Sequence, residues 1–316
     1  MAVYRDIRDI NFERTAVTVG SFDGVHCGHQ VLLRRVADLA CQRHLRSVAL
    51  TFCPHPRQAL HPDGEAPLLL NTLHEKIVLL EQTGIDDIVI FPFDKALAQI
   101  SASDFIRDIV IGKLDARCLV MGQDHHFGKD RSGDVPHLPE LIAHHDLQVE
   151  IVDLKTLDRK VSSSAIREAL LCGDLLLANK MLGYEYLISG KVIAGNRLGR
   201  TIGFPTANIE TPDYKILPKE GVYRVKVRIE NDPNPTGAVL NEVQHLGMMY
   251  IGKRPVLKQA DDTVHVEIHI FDFDSRIYGQ NVTVALTHRI RDDVKFENME
   301  QLTKQLHRDK QDIVAI

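Results

Sequence analysis

Residues 15–35 read TAVTVGSFDGVHCGHQVLLRR. Ala16–Val19 is an apolar, β-branched run of the kind that forms a buried strand. Gly20 ends it. Ser21-Phe22-Asp23-Gly24 is rich in turn formers, and Gly28 is a further place where backbone can approach a ligand. From His29 onward Val31, Leu32, Val36 and Leu39 fall at helical spacing. A helix that starts just after a glycine-rich loop points N–H groups and the positive end of its dipole at that loop, which favours phosphate. His26 and His29 are spaced so that both face one anion, where they would stabilise charge on a phosphoryl group as it is displaced. The alternative is a strand–helix turn with two solvated histidines. The strand before, the helix after and the second glycine favour function.

Outward from this stretch, strand-like and helix-like segments alternate to about Gly183. The strands are Ala16–Val19, Ser47–Phe52, Asp87–Phe91, Cys118–Met121 and Val149–Val152. Amphipathic stretches at Gln30–Arg43, His74–Gln82, Ser103–Ile109 and Leu138–His144 lie between them. The pattern predicts a parallel sheet covered on both faces, with ligands at the carboxyl ends of its strands. Three loops follow strands there. Thr51–Arg57 holds Pro54 and Pro56, which predict an extended connection, and the fixed charge of Arg57. Met121–Asp134 is a polar glycine loop, either a solvated connection or a substrate lid. Val161–Leu170 opens a helix with Ser162 and Ser163 and continues into Arg167; with Glu168 taken in its first turn, the start has capping-box character. A further helix, Asp174–Met181, closes the domain.

Beyond Gly183-Tyr184-Glu185-Tyr186 the pattern changes. Leu187–Ile193, Gly221–Ile229, Val239–Ile251, Val264–Phe271 and Gln280–Leu286 read as strands, and Met299–Asp312 as a helix. VHVEIHI, residues 264–270, alternates for its whole length, which predicts a half-buried antiparallel strand with Glu267 on its polar face. The reading is a small antiparallel barrel followed by a helix. The loop at 195–208, GNRLGRTIGFPTAN, carries Gly195, Gly199 and two arginines, a composition suited to phosphate.

At 316 residues the chain suits two domains, by a prior of roughly 150 residues each. The boundary is placed at 183/184, giving domains 1–183 and 184–316. A net charge of -5 argues against nucleic-acid binding, which goes with a basic balance. Five cysteines, an odd number without a CxxC pair, suggest reduced thiols in a cytoplasmic protein. The opening residues are too charged for a signal peptide, and no apolar run reaches the length of a membrane span. Oligomeric state is not legible.

GSFDGVHCGH resembles the GxFDGxHxGH signature of the HxGH nucleotidyltransferases. In its FDGVH form it is most similar to the adenylyltransferase module of bacterial bifunctional riboflavin kinase/FAD synthetases. The rest of the chain carries further matches. TFCPHP resembles the family's TFxPHP loop, near the flavin end of the cleft. Residues 122–134 resemble GxDFxFGxxxxGD, with Asp124 and Phe127 in place and His125 for the first Phe. Ser162-Ser163-Ser164-Ala165-Ile166-Arg167 resembles SSTxIR, with Ser164 for Thr. GFPTAN at 203–208 resembles the riboflavin kinase signature. PKEGVY, VEIHIFDFD and HRIRDDVKF follow in the family's order. Tyr250 and Val256 depart from its Asn-Ile-Gly…Pro-Thr pattern.

The resemblance implies a Rossmann-like α/β nucleotidyltransferase domain followed by a kinase β-barrel. It implies roles for residues of this sequence. His26, His29 and Arg167 would be catalytic in adenylyl transfer, with Gly20, Phe22, Asp23, Gly28, Ser162 and Ser163 on ATP. Pro54, Pro56, Asp124, Phe127 and Arg291 would bind flavin. In the kinase, Gly195, Gly199, Phe204 and Pro205 would meet ATP, Thr206 and Asn208 would hold Mg²⁺, and Glu267 would be the base. Riboflavin would become FMN, and FMN would become FAD, with ATP as co-substrate of both steps. Two other readings are an HxGH transferase with a different nucleotide or acceptor, such as CTP or pantetheine phosphate, and a flavin-binding sensor without turnover.

Overall fold

The computed structural model describes the whole chain except residues 8–9, 62–65, 124–126, 130–132, 154–160, 196–197, 231–244 and 254–263. It divides into two compact units, one of residues 1–68 and 76–162, the other of residues 69–75 and 163–316.

The first unit is built on β1 (Ala2–Tyr4), β2 (Thr15–Val19), α1 (Cys27–Arg43), β3 (Arg46–Cys53), α2 (Pro56–Leu60), most of α3 (Leu73–Glu81), β4 (Asp87–Pro92), α4 (Ala102–Asp104), β5 (Ala116–Gly122), α5 (Leu138–Ile142) and β6 (Gln148–Val152). The six strands form one sheet in the order β1-β4-β3-β2-β5-β6, every pairing parallel. All five residues of β2 are buried, as a central strand covered on both faces must be. From β2 the chain steps outward through β3 and β4, then returns to place β5 on the other side of β2. That reversal is the topological switch point, and a ligand crevice opens beyond the carboxyl ends of the strands there. The loop at 20–26 leaves β2 at this place.

Each expected strand of this unit is present. β1 was not anticipated; it is three residues long and extends the sheet from its edge. The helix expected at Ser103–Ile109 continues as a π-helical stretch over Phe105–Ile111. Thr51–Arg57 is not extended throughout. After the cis Cys53–Pro54 peptide, His55 caps α2 by accepting from the Arg57 N–H at 3.1 Å, with Pro56 in the first turn, where its missing N–H costs nothing.

The second unit holds α6 (Ser163–Cys172), α7 (Leu175–Leu182), β7 (Tyr186–Ile193), α8 (Leu198–Thr201), β8 (Ala207–Glu210), β9 (Gly221–Glu230), β10 (His245–Gly252), β11 (His265–Ile270), β12 (Asn281–Asp292) and α9 (Met299–Ala315). Its strands close into a barrel in the order β10-β11-β8-β7-β12-β9, all antiparallel. β8, hidden inside the GFPTAN loop, was not anticipated. β12 runs on through His288-Arg289-Ile290-Arg291 with register shifts against β9, so the first five residues of the HRIRDDVKF segment are strand. The first turn of α6 contains no acidic residue. Glu168 lies one turn too far along, so the expected capping box does not form.

A capping box does form at α3. The Thr72 N–H donates to Glu75 Oε2 at 2.8 Å and the Glu75 N–H to Thr72 Oγ1 at 3.2 Å. Residues 69–75 belong to the second unit. Leu69 pairs with Lys215 in an isolated bridge, and the Lys215 ammonium is fully buried against an equally buried Glu75 at 2.6 Å. Lys215 Nζ also donates to the carbonyls of Leu70 at 2.6 Å and Leu187 at 2.7 Å, which uses all three of its donors. Removing one member of such a pair leaves a buried charge uncompensated. Lys215→Ala is therefore expected to destabilise the second unit by about 3–5 kcal/mol, read as a lower denaturation midpoint with an unchanged slope.

Candidate active sites

In the first unit the chain leaves β2 through a loop held in uncommon backbone. Phe22, Gly24 and Val25 have φ of 45°, 85° and 34°. A β-branched residue at positive φ is strained and persists only where its surroundings hold it. Phe22 and Val25 are each 1% exposed, and the Val25 N–H donates to the Phe22 carbonyl at 3.1 Å. A Cβ at Gly20 would sit 2.9 Å from the Phe22 ring, so the residue at 20 must be glycine for Phe22 to fold under the loop.

The helix begins two residues earlier than its apolar spacing suggests, because His26 caps it. Its Nδ1 accepts from the His29 N–H at 3.4 Å. With Nδ1 the acceptor, a neutral His26 carries its proton on Nε2. Burial pushes the His26 pKa down to about 4, so the ring is neutral near pH 7. The His26 and His29 rings stack with centroids 3.7 Å apart and planes 14° from parallel. Phe22 meets the His29 ring edge-on at 5.4 Å. The two imidazoles thus form one stacked unit at the helix start.

A cavity of about 600 Å³ opens beside them, lined by Gly20, Phe22, His29, Phe52, Pro56 and Phe127 among others. Its aromatic and glycine lining suits a flat heteroaromatic ring system and a phosphate at one end. Of the expected flavin contacts Pro56 and Phe127 line it, whereas Pro54 is exposed one turn upstream. Asp124 and His125 lie outside the described residues. The Phe127 backbone is held by a two-way pairing with Gly133, at 3.1 and 3.0 Å. Phe52, Phe93 and Phe105 also line the cavity. Phe52 belongs to the TFCPHP segment; no motif marks Phe93, which follows β4, or Phe105, which follows α4. Ser162 is the last residue of the first unit, while Ser163 and Arg167 group with the second. Arg167 is half-buried on α6.

In the second unit the GFPTAN loop lies along β11. The Thr206 hydroxyl donates to Glu267 Oε2 at 3.2 Å, and Asn208 and Glu267 are direct cross-strand partners. A Cβ at Gly195 would come within 2.1 Å of Asn208 Nδ2, and one at Gly199 within 2.1 Å of the Phe204 carbonyl oxygen. Both glycines therefore make room for the loop that carries Thr206 and Asn208. Asn196 and Arg197, between them, lie outside the described residues. Phe204 is buried in a core with Val222, Met248, Phe271 and Ile313, so it anchors the loop from inside. Pro205 borders a small cavity of about 60 Å³ together with Thr206 and Arg200.

The polar face expected of β11 is only partly open. His269 is buried, with its Nδ1 2.7 Å from the Pro205 carbonyl oxygen and its ring against Phe204 and Phe271. The GFPTAN loop covers that end of the strand. Tyr250 stands opposite Glu267 on the other side, and its hydroxyl donates to the Lys253 carbonyl at 2.9 Å. Burial, then the carboxylates of Asp293, Glu220 and Glu267, push the phenol pKa up. Val256 lies outside the described residues. Arg291 grips the buried Asp309 of α9 through Nε at 2.9 and 3.0 Å and Nη2 at 2.8 Å, and gives Nη1 to the Asp292 carbonyl. What it retains for a ligand is one N–H on each terminal nitrogen and the face of its guanidinium.

Two family descriptions match the chain in series, FAD synthetase over residues 9–165 and riboflavin kinase over residues 182–316. A protein of Haemophilus influenzae described as a bifunctional riboflavin kinase/FMN adenylyltransferase is 38% identical over 98% of this chain and 97% of its own. One of Bacillus subtilis with the same description is 35% identical over 95% and 92%. A solved structure described as a macrolide-efflux protein from Streptococcus pneumoniae has a TM-score of 0.81 and 33% identity, covering 98% of this chain and 97% of that one. Among the described residues here, no helix is long and apolar enough to cross a membrane. Two signatures in series, each on the fold its chemistry requires, and relatives matched from end to end give one conclusion: the chain belongs to the bifunctional riboflavin kinase/FMN adenylyltransferase family.

Proposed function

We propose that the family's two activities are divided at Gly183, with residues 184–316 phosphorylating riboflavin and residues 1–183 converting FMN to FAD. Gly183 is the left-handed cap of α7, with φ of 79°. The chain is a riboflavin kinase and an FMN adenylyltransferase. The observation that carries the kinase assignment is the contact between Thr206 and Glu267 beside Asn208.

In the kinase, the 5′-hydroxyl of riboflavin attacks the γ-phosphorus of ATP. The new O–P bond forms as the bond to the β,γ-bridging oxygen breaks, ADP leaves, and Glu267 takes the hydroxyl proton. Thr206 spends its proton on Glu267, so its oxygen and that of the Asn208 amide are the donors offered to a cation. These are neutral oxygen donors of the kind a hard cation prefers, and the glycine-made recess at 195 admits the Asn208 side chain. They fit Mg²⁺: Thr206 and Asn208 would hold it, and it would supply neutralisation of the phosphate charge. Gly195, Gly199 and Pro205 shape the ATP end, and Arg291 borders the flavin.

In the first domain the FMN phosphate attacks the α-phosphorus of a second ATP and pyrophosphate leaves. A phosphate monoester is mostly ionised near neutral pH, so no residue must act as a base. His26 donates from Nε2 to a phosphoryl oxygen, and the stacked His29 ring lies over the same region. Gly20, Phe22, Asp23 and Gly28 shape the phosphate loop, Ser162, Ser163 and Arg167 are assigned to the ATP phosphates, and Pro56 and Phe127 line the cavity assigned to the isoalloxazine. Five cysteines outside any disulfide and the net negative charge accord with small-molecule chemistry in the reducing cytoplasm, away from nucleic acid.

Asn208→Ala is expected to lose FMN formation from riboflavin by at least about tenfold, yet to convert supplied FMN to FAD at the wild-type rate. Loss of both activities in one step would contradict the division at Gly183.

A further inference from the structure

His269 takes no part in the chemistry above. It stands on β11 two residues beyond Glu267, so both side chains leave the same face of the strand, about 7 Å apart along it. Glu267 is half-buried, whereas His269 is 7% exposed. The imidazole packs against Phe204 at 5.1 Å and Phe271 at 5.5 Å between ring centroids. A phenylalanine would fill that place, so packing alone does not call for an imidazole. What the imidazole adds is a hydrogen bond: Nδ1 lies 2.7 Å from the Pro205 carbonyl oxygen. A carbonyl only accepts, so Nδ1 carries the proton. Burial holds the pKa below the ordinary histidine value, and the ring is neutral near pH 7.

Pro205 lies just where the strand ladder gives out. The pairing of β8 with β11 runs from Asn208 and Glu267 to Ala207 and Ile268 and ends there. Past that point side chains of β11 hold the loop. His269 holds the Pro205 carbonyl, and Glu267 accepts from the hydroxyl of the next residue, Thr206, at 3.2 Å. Two consecutive residues of the GFPTAN loop are thus gripped from one face of one strand. On the other side of Pro205 the Phe204 N–H closes a turn onto the Gly199 carbonyl at 2.8 Å, and the Phe204 ring is buried in the core. Position 205 is therefore the joint between the anchored end of the loop and the end that carries Thr206 and Asn208.

We propose that His269 is a positioning residue for riboflavin phosphorylation: its Nδ1–H holds the Pro205 carbonyl, and so sets the loop that presents Thr206 and Asn208 beside Glu267. This inference rests on the reading that Thr206 and Asn208 hold Mg²⁺ in the kinase.

The test uses the full chain with two variants. His269→Phe keeps an aromatic ring but has no donor. It raises the Mg²⁺ concentration that half-saturates FMN formation from riboflavin and ATP about 10- to 100-fold, the range for losing a group that orients metal ligands. The Mg²⁺ requirement for FAD formation from supplied FMN stays within about twofold in the same preparation. His269→Asn has an amide N–H at the same remove from Cβ as Nδ1–H, and it returns the kinase requirement to within about threefold of wild type. Hydrogen exchange of the nucleotide-free protein, followed by mass spectrometry, gives a readout apart from turnover. Exchange over residues 203–208 speeds up at least about tenfold in His269→Phe and not in His269→Asn, while β9 and β12 keep their protection. An unchanged Mg²⁺ requirement in His269→Phe, failure of His269→Asn to rescue, or protection lost throughout the barrel would each overturn the inference, the last because it marks His269 as a core residue only. If the wild-type protein makes no FMN from riboflavin, the reading beneath it is wrong and the inference goes with it; if it makes FMN and His269→Phe matches it at every Mg²⁺ concentration, the inference alone falls.

Discussion

Glu267→Ala is expected to lower riboflavin phosphorylation about 10²- to 10⁴-fold, while FMN is still converted to FAD. The size follows from the chemistry. A primary alcohol is a poor nucleophile until its proton begins to leave, and Glu267 is the carboxylate that lies beside Thr206 and Asn208 of the GFPTAN loop. Removing it also strips Thr206 of the acceptor 3.2 Å away, which frees that hydroxyl to turn. Glu267→Gln separates the two effects. It keeps an oxygen for Thr206 but accepts no proton, so its loss should be as deep as that of alanine. A glutamine variant with near wild-type turnover would show that Glu267 holds the loop and is not the base. The comparison is a steady-state rate for FMN formation, with FAD formation from supplied FMN as the internal control.

His29→Ala is expected to cost FAD formation about 10²- to 10³-fold, the range for removing one preorganised group that stabilises developing charge, with the kinase rate unchanged. The variant is cleaner than its neighbour. The backbone N–H of residue 29 remains, so the cap that His26 makes on α1 survives. His26→Ala removes that cap as well, and so adds about 1 kcal/mol of lost helix stability to whatever it removes from catalysis. In His29→Ala the His26 ring loses its stacked partner at 3.7 Å and Phe22 loses its edge contact. A wild-type rate of FAD formation in this variant would remove the pair from the mechanism.

Much of the fold was legible because its signals are local. Buried runs such as Val17–Val19 and Leu119–Met121 read as central parallel strands, and the alternation of 264–270 as a half-buried antiparallel one. Glycine loops between strand and helix marked the ligand edge. What escaped has a common physical cause, which is dependence on distant partners. β8 is four residues inside a loop motif and is a strand only because β7 and β11 flank it. The sequence marked only a helix from His74, yet residues 69–75 group with the second unit, where Glu75 is paired with Lys215, 140 positions away. His269 alternates as a polar-face residue but is covered by the loop bearing Pro205. His26 is a helix cap although imidazole is not among the favoured capping groups, so spacing alone placed the helix start two residues late. Arg291 was legible as a charged residue near the second site, but its grip on Asp309 of α9 was not, because nothing local links residues 18 positions apart.

The central claim is that one chain runs two consecutive transfers to a flavin. The purified protein, incubated with riboflavin, ATP and Mg²⁺, should yield FMN first and FAD after it when the flavins are separated by chromatography over time. Riboflavin left unchanged, together with FMN left unchanged when it is supplied in its place, would contradict the claim and leave a flavin-binding protein without turnover.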